Sequence, residues 1–111
     1  MKTVITSEGN SVDSHFDLRF GRAAWFCLFD EENGNTEFFE NEYSEVQGGA
    51  GTKAAEKMIE LDVDKIISGD FGPKAKDVLE KFRIQLVILP ESGKKIRDII
   101  ETLKKRKSVE P

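Results

Sequence analysis

The sequence predicts a single α/β domain, and three features of the chain lead to this fold class. Short runs rich in β-branched and aromatic residues occur before residue 44 and are typical of strands. After residue 47, stretches with apolar residues three and four positions apart alternate with short apolar runs, as in helices that alternate with buried strands. A length of 111 residues with 38% hydrophobic residues supports one modest core.

The first three strands are expected to form an antiparallel meander. Lys2–Thr6 is a β-branched run, and Ala23–Asp30 is apolar on both faces. The pair Asn33–Gly34 then provides the signal of a tight hairpin. Thr36–Tyr43 follows as a third strand, and its polar residues indicate an edge position, where charge discourages aggregation.

The second half of the chain is expected to alternate helices with parallel strands. A glycine-rich loop at 47–51 opens the first helix, and Pro73 favours the first turn of the second helix. Asp64–Ser68 is a short buried strand, and Ile84–Leu89 is a continuous apolar run, as expected of a parallel strand covered on both faces. The apolar positions that define the three helices are Ala54, Ala55, Met58 and Ile59, then Ala75, Val78, Leu79 and Phe82, and finally Ile96, Ile99, Ile100 and Leu103.

These elements follow the order β-β-β-α-β-α-β-α. Because crossovers between parallel strands are right-handed, the fourth and fifth strands should run parallel to the first. We therefore predict a five-stranded mixed sheet in the order 3-2-1-4-5 with three helices, a three-layer α/β/α arrangement of ribonuclease-H-like topology. The domain should span residues 1–103, with Lys104–Lys107 closing the last helix and residues 104–111 forming a basic, frayed tail.

Composition and charge exclude several classes of function. A net charge of −4 argues against a protein whose whole surface binds nucleic acid or anionic membranes. The chain has neither a signal-like N-terminus nor an apolar run of the roughly 20 residues that a membrane span needs. A single cysteine, Cys27, excludes an intrachain disulfide and any metal site built only from this chain's thiolates. We expect a monomeric protein of the cytoplasm.

The predicted topology brings four loops to one edge of the sheet, outside the carboxyl ends of the parallel strands. Such an edge is the usual place for a ligand crevice in an open α/β sheet. Helices should begin near Gly51, Gly72 and Gly93, and helix N-termini offer free N–H groups and partial positive charge. Arg19 and Arg22 come from the long loop 7–22, so the edge suits an anion.

Four motifs follow one another in a characteristic order and spacing, namely Arg19–Ala23, Trp25–Phe26, Gly48–Gly51 and Gly69–Ala75. Together they resemble the nitrogenase iron–molybdenum cofactor biosynthesis family, the NifX-like proteins and the carboxyl-terminal domain of NifB, and the resemblance covers residues 2–103. It implies a ribonuclease-H-like domain that binds or carries an anionic metal–sulfur cluster, containing iron or molybdenum, or its precursor. Donor and acceptor proteins for the cluster are the implied partners. The implied cluster-binding residues are Arg19, Phe20, Gly21, Arg22, Gly48, Gly49, Gly51, Gly69 and Gly72.

The chain departs from the family pattern at one position. Many members have His-Phe-Gly where this chain has Arg19-Phe20-Gly21, and the nearest histidine is His15. Either His15 takes over as a metal ligand from the long loop, or binding is purely electrostatic. His15 could equally be an ordinary loop histidine near Asp13 and Asp17.

Several candidates have structural interpretations as well as functional ones. Arg19 and Arg22 could hold an anion or form salt bridges with Asp13, Asp17 or Glu8. The two glycine-rich loops could cradle an anion or simply turn the chain. Cys27 lies in the middle of a strand and is expected to be buried and inert. Phe16, Phe20 and Phe71 could line the crevice or pin the loop to the core.

The leading hypothesis is a non-catalytic carrier of an anionic metal–sulfur cluster, captured electrostatically at the carboxyl edge of the sheet. The alternative is a small protein-interaction or regulatory domain of the same fold without cluster binding. A two-metal nuclease is strongly disfavoured, because such enzymes need clustered carboxylates, one usually on the first strand, and Lys2–Thr6 has none.

Overall fold

The fold is described here from a computed structural model, which covers residues 1–109, with side chains described for residues 1–106. Five strands and three helices follow one another in the predicted order. The strands are β1 (Lys2–Ser7), β2 (Trp25–Asp30), β3 (Thr36–Glu40), β4 (Lys65–Ser68) and β5 (Gln85–Ile88), and the helices are α1 (Ala50–Glu60), α2 (Pro73–Lys81) and α3 (Ile96–Val109).

The sheet has the predicted order β3-β2-β1-β4-β5. β1 pairs antiparallel with β2, which pairs antiparallel with β3, so the first three strands form the expected meander. β4 lies parallel to both β1 and β5. The α/β fold class and the strand order are therefore confirmed.

Two hydrophobic clusters cover opposite faces of the sheet, because successive side chains of a strand point to opposite sides. Val4 and Ile66 belong to the first cluster, which packs against α1 and α2 through residues such as Met58 and Leu79. Ile5 and Ile67 belong to the second cluster, which packs against α3 through Ile96, Ile99, Ile100 and Leu103. The two clusters give the predicted three layers.

The strands β2 and β3 are shorter than the sequence predicts. The predicted spans began at Ala23 and ended at Tyr43, whereas β2 begins at Trp25 and β3 ends at Glu40. The buried side chain of Asn41 explains both ends, since its Nδ2 donates to the carbonyls of Gly21 and Ala23, each at 2.9 Å. The Asn41 amide therefore links the segment before β2 to the segment after β3, at the point where the pairing of these two strands ends.

The fifth strand packs on both faces as predicted, but the cover is incomplete. Leu86 contacts the first cluster, Val87 contacts the second, and both are only half-buried. β5 lies at the edge of the sheet, and Ile88 remains 61% exposed. Its pattern runs from an exposed Gln85 through half-buried Leu86 and Val87 to exposed Ile88. An apolar run does not by itself show whether a parallel strand is central or at an edge, because strands in both positions can carry apolar side chains on both faces of the sheet.

The last helix is longer than predicted. α3 continues to Val109, so Lys104, Lys105 and Arg106 lie on its final turns and not in a frayed tail. Basic side chains are favourable there, because the C-terminus of a helix carries partial negative charge. Residues 110 and 111 of the predicted tail lie outside the described residues. Among the helices of residues 1–109, none has both the length and the apolar character that crossing a membrane requires.

Candidate functional site

The segment 18–22 lies at the centre of the predicted edge and contacts the neighbouring loops in turn. Leu18 packs against Gly69, which directly follows β4. The ring of Phe20 lies 5.2 Å from the ring of Phe71, measured between centroids. Arg22 reaches the loop before α1, as described below. The fold therefore brings the loops around 18–22, 44–51 and 69–73 together at the carboxyl ends of β1 and β4.

Two of the predicted glycines, Gly21 and Gly69, are required by close packing, and Gly51 lies at a third, less severe contact. A Cβ on Gly69 would lie 2.6 Å from the Leu18 carbonyl oxygen, and a Cβ on Gly21 would lie 2.6 Å from the backbone nitrogen of Gly51. A Cβ on Gly51 would in turn lie 3.3 Å from the Cβ of Ala75, where α1 contacts α2. These glycines let backbone segments approach each other, which is the ordinary structural use of the residue.

The remaining three predicted glycines are not packed against other atoms. Gly49 precedes α1 with a φ of 72°, in the left-handed region that favours glycine. A Cβ on Gly48, Gly49 or Gly72 would meet nothing within 4 Å. Gly48 and Gly72 therefore leave open space beside the starts of α1 and α2, where a ligand could approach the backbone.

Arg19 is held in place by a buried carboxylate. Its Nε and Nη2 donate to Oδ1 and Oδ2 of Asp17, each at 3.1 Å. The Asp17 side chain is only 4% exposed, whereas that of Arg19 is 62% exposed. The hydrogen bond and the charge of Asp17 raise the pKa of Arg19. Because a guanidinium has five N–H donors, this geometry uses two of them and leaves three directed away from Asp17.

Asp17 is itself fixed to the sheet. Its backbone N–H donates to the Thr6 carbonyl at 3.0 Å, and the Thr6 hydroxyl donates to the Asp17 carbonyl at 2.5 Å. Asp17 Oδ1 also accepts the backbone N–H of Arg19 at 3.0 Å. The guanidinium of Arg19 is therefore positioned by the end of β1 through one buried residue.

His15 is exposed and lies in the same open depression as Arg19. Its backbone is fixed, since its carbonyl accepts the N–H of Glu8 at 2.9 Å and it forms an antiparallel bridge with Lys95. The depression is lined by Glu8, His15, Phe16, Asp17, Leu18, Arg19, Ser92 and Gly93. Ser92 and Gly93 are not among the predicted site residues, although the loop that carries them is predicted to lie at this edge.

Arg22 binds backbone carbonyls. Its Nη1 donates to the carbonyls of Ser44 at 3.0 Å and Val46 at 2.5 Å. These carbonyls lie in the loop that leads to α1, so Arg22 stabilises that loop. Neither the anion-binding interpretation nor the predicted salt bridge to Asp13, Asp17 or Glu8 describes these contacts.

The long loop between β1 and β2 is anchored to α3. The carbonyls of Ser14 and Val12 accept the N–H groups of Ile96 and Arg97, and Arg97 also pairs with Asp13 at 3.0 Å. The expectation that α3 offers a free N-terminus to an anion is therefore wrong, because this loop already satisfies those donors. In contrast, no side chain caps the N-terminus of α1 or of α2.

The aromatic candidates and Cys27 pack in or against the hydrophobic core, as their structural interpretations predict. Phe16 and Phe20 are buried and fix the long loop to the core, while Phe71 is half-buried against Phe20. Cys27 is fully buried, and burial raises its pKa to about 12. A thiol in this state stays protonated at neutral pH and is a poor metal ligand.

A larger groove lies elsewhere, along α3. It has a volume of about 730 Å³ and extends from Lys65 near one end of the sheet to Lys94 near the other, over Ile67, Val87 and Leu89. The groove contains none of the predicted site residues. Within the part of the chain that the structure describes, no group of three or more His, Cys, Asp or Glu side chains could hold a metal ion.

Comparison with known proteins finds one matching family and solved structures with a similar fold. Residues 1–106 match the family model described as dinitrogenase iron-molybdenum cofactor. The apo form of the orange protein from Desulfovibrio gigas is 27% identical, with a TM-score of 0.86 over 95% of this chain and 88% of that chain. A proposed NifB protein from Thermotoga, solved by NMR, is 26% identical, with a TM-score of 0.79 over 94% of this chain and 87% of that chain. No curated protein matches the chain.

Proposed function

The chain belongs to the dinitrogenase iron-molybdenum cofactor family, and from this premise we propose that it is a non-catalytic carrier of an anionic metal–sulfur cluster or its precursor. The cargo would be a sulfide of iron, of molybdenum or of both, taken from a donor protein and passed to an acceptor protein. We place this function in the cytoplasm and expect no binding to nucleic acid. The family name supports the kind of cargo.

One observation carries the proposal. Arg19 is oriented by buried Asp17 in a bidentate contact, and it lines the same depression as His15. A guanidinium that is already oriented loses little side-chain entropy when it binds an anion, and its three remaining N–H groups can contact sulfide or oxide ligands. Arg19 would supply the main charge, and His15 would contact the cargo or ligate one of its metals.

The backbone at the starts of α1 and α2 would provide a second contact. Neither N-terminus has a side-chain cap, and Gly48 and Gly72 leave the space beside them open. Free N–H groups at a helix start attract anions through their partial positive charge. Phe20, Gly21, Gly51 and Gly69 would act indirectly, because they pack the loops that hold these contacts together, and Arg22 would fix the loop that carries Gly48 and Gly49.

Electrostatic capture would suit a carrier. Cys27 is buried and protonated, so it is not available to form a thiolate bond with the cargo. A cluster held by charge and hydrogen bonds can leave without breaking a strong metal–thiolate bond. Transfer to an acceptor then requires only a competing site of higher affinity.

The proposal is tested by anaerobic incubation of metal-free protein with tetrathiomolybdate, alone and with iron(II) or copper(I). Desalting, absorption spectra and metal analysis then measure what the protein retains. We expect a retained chromophore at a fixed stoichiometry, weakened by His15→Ala and by the double variant Arg19→Ala with Arg22→Ala. Lys57→Ala is a matched control, because Lys57 lies in the last turn of α1, at the end of that helix remote from its start.

Two results would contradict the proposal. Retention that is equal in the wild type and the double arginine variant would exclude electrostatic capture by these residues. No retention under any condition would favour the alternative, a small interaction or regulatory domain without cluster binding. Capture of one protein partner by the metal-free protein would then be the next measurement.

A further inference from the structure

The two edges of the sheet differ in a way that the proposed function does not use. β3, at one edge, carries Glu37 and Glu40 and is largely exposed. β5, at the other edge, carries only Gln85, Leu86, Val87 and Ile88 and has no charged residue. Charged residues protect an exposed edge against pairing with another chain, so β3 is protected and β5 is not.

The unpaired backbone groups of β5 can be identified from its hydrogen bonds. The N–H of Gln85 donates to the Asp64 carbonyl at 2.9 Å, and the N–H of Leu89 donates to the Ser68 carbonyl at 2.8 Å. Odd-numbered residues of this strand therefore direct their N–H and C=O groups toward β4. Because these directions alternate along a strand, Leu86 and Ile88 direct theirs outward from the sheet.

We propose that β5 pairs antiparallel with β5 of a second copy of this chain, about a two-fold axis that passes beside Val87. In this register Leu86 of each copy faces Ile88 of the other, and each such pair can exchange two backbone hydrogen bonds. The two five-stranded sheets become one continuous sheet. Such an interface is isologous, so one set of contacts is formed twice.

Backbone hydrogen bonding favours the register centred on Val87 over registers centred on Leu86 or Ile88. Centring the pairing on Leu86 would require the N–H of Ile84, which already donates to the Leu79 carbonyl at 3.1 Å. Centring it on Ile88 would require an N–H from Pro90, and proline has none. The register centred on Val87 uses both outward-facing residues of each copy and needs neither of these groups.

The side chains agree with the same register. Ile88 is 61% exposed and would be covered by Leu86 of the second copy. Phe82, which is 60% exposed just before β5, would approach the chain after Ile88 of the second copy, because the strands run in opposite directions. Arg83 precedes β5 with a φ of 59°, and Glu91 follows the strand and pairs with Lys94 of its own copy at 3.5 Å. In an antiparallel arrangement the Arg83 end of one copy lies near the Glu91 end of the other, so residues of opposite charge approach each other at both ends of the interface.

The proposal replaces the monomer expected from the sequence with a weak, concentration-dependent dimer. Two four-residue strands with their flanking residues form an interface at the lower end of the range for specific complexes. The open depression with His15 and Arg19 contains no residue of β5. Ser92 lines the depression and follows β5 closely, so the second copy would lie beside each cargo site.

Sedimentation velocity of the full chain over a wide range of concentrations tests the proposal. We expect the sedimentation coefficient to rise with concentration, and amide exchange at Leu86 and Ile88 to slow in parallel. Ile88→Lys should abolish both effects, because it places like charges near the two-fold axis. Thr36→Lys is the matched control, because it adds the same charge to the exposed edge strand β3 and should change neither effect.

A charge exchange tests the register. Arg83→Glu should weaken the dimer by roughly tenfold, because two attractive contacts become repulsive. Combining Arg83→Glu with Glu91→Arg should restore it. A chain that stays monomeric at all concentrations, or a dimer that withstands Ile88→Lys, would overturn the proposal. Binding of an extended peptide to β5 by a strictly monomeric chain would overturn it in favour of strand addition by another protein.

Discussion

The carboxyl edge of the sheet has two halves, the loop that carries His15 and Arg19 and the loops that lead into α1 and α2. The groups that could bind an anion differ between them. In one half, the loop before Arg19 caps α3 with its own carbonyls, so positive charge comes from the side chain of Arg19, which lines the same depression as His15. In the other half, α1 and α2 lack side-chain caps, and the local arginine, Arg22, is bound to carbonyls. Charge is therefore provided by side chains in the first half and by backbone N–H groups in the second.

This difference shows that residue type alone does not define a role at this site. Arg19 and Arg22 are three positions apart, yet a buried carboxylate orients one and backbone carbonyls occupy the other. Gly69 and Gly72 are also three positions apart, yet one is packed against Leu18 and the other faces open space. The tertiary neighbours of each residue decide its role.

The largest expected effect is on the free energy of unfolding, which should respond differently to alanine at a packed glycine and at an open one. Gly69→Ala should lower the free energy of unfolding by about 2 kcal/mol or more, because the new Cβ would lie 2.6 Å from the Leu18 carbonyl and force the backbone apart. Gly72→Ala should leave this free energy unchanged or raise it by up to about 1 kcal/mol, since its φ of −63° and the open space both accept alanine. Urea denaturation of the two variants measures the difference.

Equal destabilisation by both alanine variants would contradict this distinction between packed and open glycines. If Gly72→Ala instead keeps its stability and weakens thiomolybdate binding, the backbone half of the edge contributes to binding. The two halves of the edge would then differ in how they contribute to the affinity for thiomolybdate as well as in structure.

The next effect concerns the two arginines. Arg19→Gln should weaken thiomolybdate binding by about tenfold, because it removes an oriented charge and its charge-assisted hydrogen bonds. Arg22→Gln should weaken binding by less than about threefold, because Arg22 stabilises a loop and its contacts are exposed. Equilibrium titration of each variant measures the affinities, and an equal loss in both would show that the two arginines act on the cargo alike.

The smallest expected effect on cargo binding concerns Cys27, which lies in the cluster beneath the anchored loop together with Phe16 and Ile96. With its pKa raised to about 12, this thiol should react with iodoacetamide near neutral pH about a thousandfold more slowly than a free thiol. Cys27→Ala should leave cargo binding unchanged. Rapid labelling of the folded protein would instead show that the loop opens, and mass spectrometry over time distinguishes the two outcomes.

Much of the fold could be predicted because its signals are local. The Asn33–Gly34 pair, Pro73 at the start of α2 and the apolar positions of α3 each act within a few residues of the chain. The right-handed rule for crossovers then converts the order of elements into the order of strands. The predicted strand order already places β5 at the edge of the sheet. The exposure of Ile88 could not be predicted in this way, because it depends on how far the packed helices extend over the strand.

The element order, the strand order, the family resemblance and the placement of the glycine-rich loops at one edge all follow from the amino-acid sequence. The orientation of Arg19 by Asp17, the capping of α3 by Ser14 and Val12, and the need for glycine at position 69 beside Leu18 become evident only in the folded chain. The two groups differ in the separation of the interacting residues along the chain. Periodicity and turn propensity act between near neighbours, whereas capping, close packing and the exposure of an edge arise where distant segments meet.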